Sequence, residues 1–444
     1  MKRFISSVSA TMLAATAMLG TTPAFAQPNE QFVPLLVYRT GPYAPNGTPW
    51  ANGKQDYLKL INERDGGING VKITYEECET GYATDRGIEC YERLKGKGPT
   101  GATAFDPQST GISFALTEKI PGDKIPLITP GYGRSESADG SVFKWAFPIM
   151  GSYWTAADIL IQHIGKKEGG LEKLKGKKIA YVYHDSPYGK EPIAVLQERA
   201  RRHGFELQLL PVTAPGVEQK ATWLQVRQGK PDFVVLWGWG VMNSTALKEA
   251  QATGFPREKM FGVYWSGTEP DVKDVGAAAA GYSALNMQNE LGLTAVAQDI
   301  LKHVHGKGQG TGPKDEVGSI LYNNGMIISM FTVEAVRTAQ EKFGKGKPMT
   351  GEQVRWGLEN LSLDEKRLTA LGFNKLLHPI KTSCTDHMGV ATARVQTWDG
   401  SKWKFVSEPI AADMSLLKPL ITTGADKYAA DRKITRRGDA DCQN

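Results

Sequence analysis

Aromatic side chains crowd the places where apolar runs end. Trp237 and Trp239 flank Gly238 directly after Phe233-Val234-Val235-Leu236, and Trp265 follows the run that closes on Tyr264. Rings at such strand ends offer flat walls on which a planar or apolar small molecule stacks. Core packing is the competing assignment for each, most of all for Trp237. Two Gly/Ser/Pro loops bring a complementary chemistry: Phe105-Asp106-Pro107-Gln108-Ser109-Thr110-Gly111 and Thr129-Pro130-Gly131-Tyr132-Gly133. Each lies between a strand and a helix start, where free backbone N–H groups and the helix dipole favour an anion such as a carboxylate. Helix capping by Ser109 is the plainer alternative.

Covalent and metal chemistry finds little support. There is no Gly-x-Ser-x-Gly elbow, P-loop or His-Glu-x-x-His, and Gly131-x-Gly133 lacks the third glycine of a dinucleotide fingerprint. His184, Asp185 and Ser186 are neighbours in sequence, which is not how a catalytic triad is built. His303 and His305 fall two apart on an expected helix, so they diverge and read as solvated. Lys173 to Lys178 reads as a solvated face, and Arg437-Gly438-Asp439 as a chance string in a polar tail. No cofactor and no metal site is expected: the four cysteines form no Cys-x-x-Cys and no Cys/His cluster.

The elements that must position these residues alternate. Phe32–Tyr38 reads as a strand, a helix follows from about Pro49 to Asn62 and stops at Arg64-Asp65-Gly66-Gly67, and Val71–Glu76 is the next strand. Helices are expected over Asp85–Leu94 and Ser109–Lys119, with a buried strand at Ile125–Thr129. The pattern restarts with a helix over Tyr153–Ile164, the strand Lys178–His184 and a helix over Tyr188–His203. Further strands are Phe205–Leu210, Phe233–Leu236 and Met260–Tyr264, with a helix near Ser244–Thr253 between the last two. Such alternation predicts a mainly parallel sheet with helices on both faces, an α/β fold. Long helices then occupy Thr294–His305, Gly318–Glu341 and Thr350–Leu361, and Met388–Trp398, Asp399-Gly400 and Lys402–Val406 read as a β-hairpin.

Composition fits this picture. The chain has 444 residues with 53 Lys+Arg against 47 Asp+Glu, too even a balance to argue for nucleic acid. Lys2-Arg3, the apolar stretch from Phe4 to Gly20 and Ala24-Phe25-Ala26 read as a cleaved secretory signal over residues 1–26. No later stretch is long and apolar enough to span a bilayer, so the mature chain is expected in the periplasm. At roughly 150 residues per domain, two or three domains fit, and two lobes are the first expectation. Cysteines of an exported chain are expected to be bridged. Four allow three pairings; Cys78 and Cys90 flank a turn-like segment, and elimination leaves Cys384 with Cys442.

The order of motifs resembles the solute-binding proteins of ABC importers for branched-chain amino acids and amides, the Leu/Ile/Val-binding type. The resemblance rests on Thr40-Gly41-Pro42-Tyr43-Ala44-Pro45-Asn46-Gly47, Ile61–Gly70, Ile125–Pro130, Tyr183–Gly189 and Asp232–Leu236, in family order over nearly the whole mature chain. It implies a type I periplasmic-binding clamshell: two doubly wound, Rossmann-like lobes joined by three crossovers near Pro148, Gly281 and Leu377. Residues 27–148 and 282–377 then form lobe 1, 149–281 lobe 2, and 378–444 the lobe 2 strands and C-terminal tail. Ligand positions carried over from the family fall on Asn46, Phe105, Asp106, Pro107, Gln108, Ser109, Gly131, Gly133, Tyr188, Trp239, Tyr264 and Trp265.

Departures from the family pattern shape the ligand expected. Pro107 and Gly133 stand where amino-acid binders use hydroxyls on the carboxylate, and Tyr264 or Trp265 where they use an acid on the ammonium. A buried ammonium without a counter-charge is costly, so an aromatic or hydrophobic carboxylate, or an amide, is expected unless Asp106 faces the cleft. The partners expected are the small solute and an inner-membrane ABC permease, with the binding protein a monomer. Branched-chain amino acid binding, a ligand-sensing receptor module and a secreted α/β hydrolase are the alternatives.

Overall fold

A computed structural model of the chain describes Met1 and residues 29–442. The expected secretory signal lies outside the described residues except for Met1. Two sheets organise the rest. In the first, β1 (Glu30–Val37) pairs in parallel with β2 (Lys72–Glu79), and Phe105 bridges to β3 (Leu127–Ile128), itself parallel to β4 (Ala146–Phe147). The second contains β5 (Lys178–His184), β6 (Glu206–Val212), β7 (Phe233–Trp237), β8 (Met260–Gly262) and β9 (Ser283–Asn286). The chain then leaves this sheet and forms the short antiparallel pair β10 (Ser362–Leu363) and β11 (Ile380–Lys381). It returns as β12 (Thr392–Trp398), β13 (Trp403–Phe405) and β14 (Ile410–Ala411) to complete eight strands in the order β13-β12-β9-β8-β7-β5-β6, with β14 on β12.

Strands β5 to β9 run parallel. The inner strands β5, β7 and β8 are apolar and buried at their centres, as a strand covered by helices on both faces requires, whereas the edge strand β6 is half-exposed and carries Gln208. The final strands add an antiparallel edge, with Trp398 opposite Trp403 in the expected hairpin. This is the α/β architecture that the alternation predicts, arranged as the two halves that the family resemblance implies.

The first helix, Ala44–Asp65, begins a turn earlier than expected, because Pro45 falls in the first turn, where no backbone donor is needed. It ends at Gly66, whose φ of 69° is the left-handed C-cap conformation. The helix crosses the long Ile320–Phe343 helix almost backbone to backbone. A Cβ on Gly53 would stand 2.0 Å from the Tyr322 carbonyl oxygen, and one on Gly325 would stand 2.1 Å from that of Trp50. Only glycine permits that approach, and it fixes the height at which Trp50 emerges.

Both disulfides form as expected, Cys78–Cys90 and Cys384–Cys442, each with Cα atoms 5.6 Å apart. His305 corrects the sequence reading. The helix carrying His303 stops there, and His305 turns inward, buried, with Nε2 2.9 Å from Asp56 Oδ2. Asp56 also accepts from Tyr322 Oη at 2.8 Å and from the Thr311 amide at 2.8 Å, so it ties a loop to the first helix. Arg437 also turns inward, to the Cys384 carbonyl at 3.0 Å and Glu359 at 2.8 Å.

Two helices carry no clear sequence signal. Lys220–Gly229 crosses from β6 to β7 with only Thr222, Trp223 and Val226 buried. Met414–Arg432 occupies what read as a polar tail. Its amino end meets the second half, where the Asp413 amide donates to Asp158 at 2.7 Å. Its far end lies on the first half, where Tyr428 stacks on Phe143 at 4.5 Å.

Candidate ligand-binding site

The carboxyl ends of both sets of strands face each other, and their loops close down on a small cavity of about 20 Å³. Trp50, Tyr82, Gln108, Ser109, Thr110 and Tyr132 come from the first half; Tyr153, Tyr188, Trp239 and Trp265 come from the second. All but Trp50, which stands inside the first helix, arrive from a turn after a strand or from a helix start, the position where open α/β sheets hold ligands. The rings form a box. Trp50 stacks on Trp265 at 4.9 Å, and Tyr132 and Trp239 meet both indoles edge-on.

The halves also touch directly around this box. Tyr43 Oη lies 2.8 Å from His184 Nε2, whose other ring nitrogen lies 2.8 Å from Ser186 Oγ. Asn46 Nδ2 donates to Asp271 Oδ1 at 3.3 Å and to Thr268 Oγ1 at 3.3 Å. Tyr264 Oη donates to the Gly131 carbonyl, and Trp265 Nε1 reaches the same oxygen at 3.4 Å. Burial holds His184 down to about 4, so it is neutral at pH 7. The buried Asp271 is pushed up to about 6 despite the donors that surround it.

Polar capacity inside the cavity is concentrated on Gln108. Both side-chain amide atoms are buried and make no hydrogen bond among the described residues, as is true of the Trp50 and Trp239 indole nitrogens. Its backbone has a φ of 53°, left-handed for a non-glycine residue, and its amide donates to Tyr132 Oη at 3.0 Å. Strain of this kind collects at ligand sites. Ser109 caps the Thr110–Thr117 helix, so the first amides of that helix are aimed beside Gln108. The adjacent carboxylate is spoken for: Asp106 is buried, pairs with Lys54 Nζ at 2.8 Å and accepts from Tyr132 Oη. Burial and the Asp106 carboxylate raise the Tyr132 phenol, and burial raises Tyr153 and Tyr188, so all three remain protonated donors.

A family model described as periplasmic binding protein matches residues 30–402. The chain belongs to that family. Among solved structures, a protein of the Pseudomonas fluorescens group described as an ABC transporter permease is 43% identical, covering 93% of this chain and 100% of its own, with a TM-score of 0.85. A branched-chain amino acid ABC transporter from Thermus thermophilus with bound valine is 23% identical over 88% of this chain and 99% of its own, TM-score 0.72. An ABC transporter solute binding protein from R. palustris in complex with benzoate is 16% identical over 86% and 98%, TM-score 0.66. The last two share the fold. A search of curated proteins returned no match. This periplasmic binding protein is the substrate-binding component of an ABC transporter for a small organic solute.

In this periplasmic binding protein the positions carried over from the family divide. Gln108, Ser109, Tyr188, Trp239 and Trp265 line the cavity. Tyr264 and Gly131 stand just behind it, joined by the Tyr264 hydroxyl's hydrogen bond, and Gly131 holds a φ of 74°. Gly133 lies against Thr129. Asn46 is an interlobe latch, Phe105 packs on Tyr91 in the core of the first half at 4.7 Å, and Asp106 and Pro107 are buried beside the wall. Trp237 is core, fully buried against Tyr181 and Tyr188. Sequence reading missed Trp50, Tyr82, Thr110, Tyr132 and Tyr153. Tyr132 lies within a loop already marked for anions, and Tyr153 opens a helix after a loop, so both carried a usable signal; Trp50 sits inside a helix and carried none.

Proposed function

We propose that the protein captures an aromatic or hydrophobic carboxylate, or the corresponding amide, between its halves and delivers it to an inner-membrane permease. The observation that carries this reading is the pairing of four mutually packed rings, Trp50, Tyr132, Trp239 and Trp265, with an unpartnered Gln108 amide beside a helix start. The rings suit a flat apolar body, and the amide with the helix amides suits one carboxylate or carboxamide. A zwitterionic amino acid fits less well, because Asp106 is already neutralised by Lys54 and leaves the α-ammonium without a counter-charge.

In this reading the site comprises the lining residues with Asn46, Phe105, Asp106, Pro107, Gly131, Gly133 and Tyr264 behind them. The lobes divide near Pro148, near Leu377 before β12, and, in place of the expected Gly281, just after β9, because β9 hydrogen-bonds to β8 in the second sheet. The mature protein works as a periplasmic monomer after cleavage of its signal, without enzymatic activity. Among the described residues no helix is long and apolar enough to cross a membrane. The ligand selects the closed form, since only closure brings both sets of contacts together. A thermal-shift screen of amino acids, aromatic acids, aliphatic acids and their amides tests the ligand class. A ligand at 100 times its dissociation constant stabilises by about 2.7 kcal/mol. Stabilisation by ring-bearing acids or amides is the expected result, and a response to leucine-like amino acids alone overturns it.

A further inference from the structure

Tyr82 is the exception among the residues that line the ring-walled cavity. The other lining residues are buried, whereas Tyr82 keeps part of its surface in solvent. The route from the cavity to water therefore runs past this phenol ring. We propose that Tyr82 is a gate, a ring that swings to let water and small solutes pass while the two halves stay together. The inference rests on the cavity being the ligand site and adds how that site is reached; it does not depend on the ligand's chemical class.

The frame around the ring is fixed. Tyr38, which follows β1 and is fully buried, meets Tyr82 edge-on at 5.0 Å, and Tyr43, at the start of the first helix, lies against it at 4.5 Å. The second half clamps Tyr43 in turn, through His184 and through Gly240, where a Cβ would stand 2.8 Å from the Tyr43 ring. Gly81 and Tyr82 hold φ of 56° and 65°. A non-glycine residue adopts such a backbone at a cost, and residues so held gather at ligand clamps and switch segments. The turn is fastened on both sides: the Thr80 amide donates to the Val37 carbonyl at 2.7 Å, the Tyr82 amide to Thr80 Oγ1 at 3.1 Å and the Ala83 amide to the Thr80 carbonyl at 3.0 Å. Beyond these bonds the Cys78–Cys90 bridge ties the strand before the turn to the helix after it. With the backbone pinned, the side chain is the part left to move. Parting the halves would instead break the Tyr43–His184 and Asn46–Asp271 contacts and the Trp50–Trp265 stack together, so turning one ring is the smaller motion.

Water is the first probe, since a space of about 20 Å³ admits a water molecule. The Trp50 and Trp239 indole N–H groups in its walls are buried and make no hydrogen bond among the described residues, so their exchange with deuterium reports water entry. Trp403 Nε1 is buried and unpartnered in the same sense but stands on β13, outside the cavity lining, and serves as the control. The full mature chain, its tryptophans nitrogen-labelled, is followed by NMR in heavy water. Tyr82→Gly removes the ring and suits the left-handed backbone. It should speed exchange at Trp50 and Trp239 at least about tenfold and leave Trp403 unchanged, with Tyr82→Phe between it and the wild type. Should circular dichroism find Tyr82→Gly unfolded, Tyr82→Asn, which also tolerates this backbone, replaces it with the same outcomes. Unchanged rates at Trp50 and Trp239, or equal acceleration at Trp403, overturns the inference, because exchange then runs through parting of the halves or general loosening. Stopped-flow mixing with benzoate and benzamide separates a gate from a wall. Association and dissociation both faster in Tyr82→Gly is the expected result; faster dissociation alone makes Tyr82 a wall contact and overturns the gate. If neither compound binds the wild-type protein, the proposed ligand class fails while the deuterium measurement still decides the gate.

Discussion

Trp50 and Trp265 lie face to face across the gap between the two halves, their centroids 4.9 Å apart and their planes inclined by 12°. One indole comes from a helix of the first half, the other from the turn after β8 in the second. Their contact exists only while the halves are together. An aromatic pair is worth about 0.5–1.5 kcal/mol beyond the area it buries. Trp50→Ala should therefore weaken the ligand identified by the thermal-shift screen about tenfold in calorimetry, and Trp50→Phe less. Equal affinity in all three proteins would remove the stack from the binding site.

Gln108 offers a cleaner measurement, because its side-chain amide atoms bond to nothing among the described residues. Gln108→Leu keeps the shape and removes the polar atoms. A hydrogen bond of ordinary net strength, about 1 kcal/mol, predicts a fivefold to tenfold loss of ligand affinity. The melting temperature of the unliganded protein should not fall, and a fall would mean that the side chain is structural.

Lys54 and Asp106 are both buried, with side chains 3% and 5% exposed. Breaking such a pair from one side leaves a charge stranded at a cost of about 3–5 kcal/mol. Urea denaturation of Lys54→Met should register that loss, and Lys54→Met with Asp106→Asn should recover part of it. A fully stable single variant would show that water reaches Asp106.

His184 predicts an acid limit. Its ordinary value near 6.5 is lowered to about 4 by burial beneath Tyr43. The folded imidazole resists a proton that the exposed one accepts, so the stability present above about pH 6.5 declines as the pH falls toward 4. The carboxylate of Asp271, raised to about 6, acts in the opposite direction, favouring the folded chain on the acid side. Replacing His184 by Gln isolates the histidine: the decline in melting temperature between pH 6.5 and 4 should become shallower. An identical pH profile would dismiss it.

The Cys384–Cys442 bridge closes a separation of 58 residues. Chain-entropy reasoning assigns a loop of that length about 4 kcal/mol, and native bridges commonly deliver 2–4. Cys384→Ser with Cys442→Ser should lower unfolding stability by that order in chemical denaturation. No change would mean that Arg437 and its contacts hold the tail unaided.

Much of the architecture was readable from alternation alone. Continuous apolar runs such as Phe233–Leu236 have few homes other than a covered parallel strand, and Lys178–His184 matches its strand end for end. Elements that bury small residues were not readable. The Met414–Arg432 helix packs Leu417, Ile421, Ala425 and Ala429 at a spacing of four, but alanines and Pro419 mask the stripe. In the site, rings at strand ends were visible because their position implies exposure to a cleft. Trp50 was not, because a tryptophan in a helix reads as core until the partner half is known. Asp106 was legible as a residue but not as a charge, since Lys54, which neutralises it, lies 52 positions away.

The Met414–Arg432 helix starts on one half and finishes on the other, and the bridge from Cys442 to Cys384 fastens the chain beyond that helix. The polypeptide thus closes a loop around the hinge instead of ending beside it. Any swing of the halves would have to carry this helix and its contacts on both sides, Asp413 with Asp158 and Tyr428 with Phe143, so a strapped pair of halves is expected to open through a narrower fan of angles. Fewer wide-open arrangements have to be surrendered when a solute is captured, and that saving in disorder accrues to every ligand alike, whatever its chemistry.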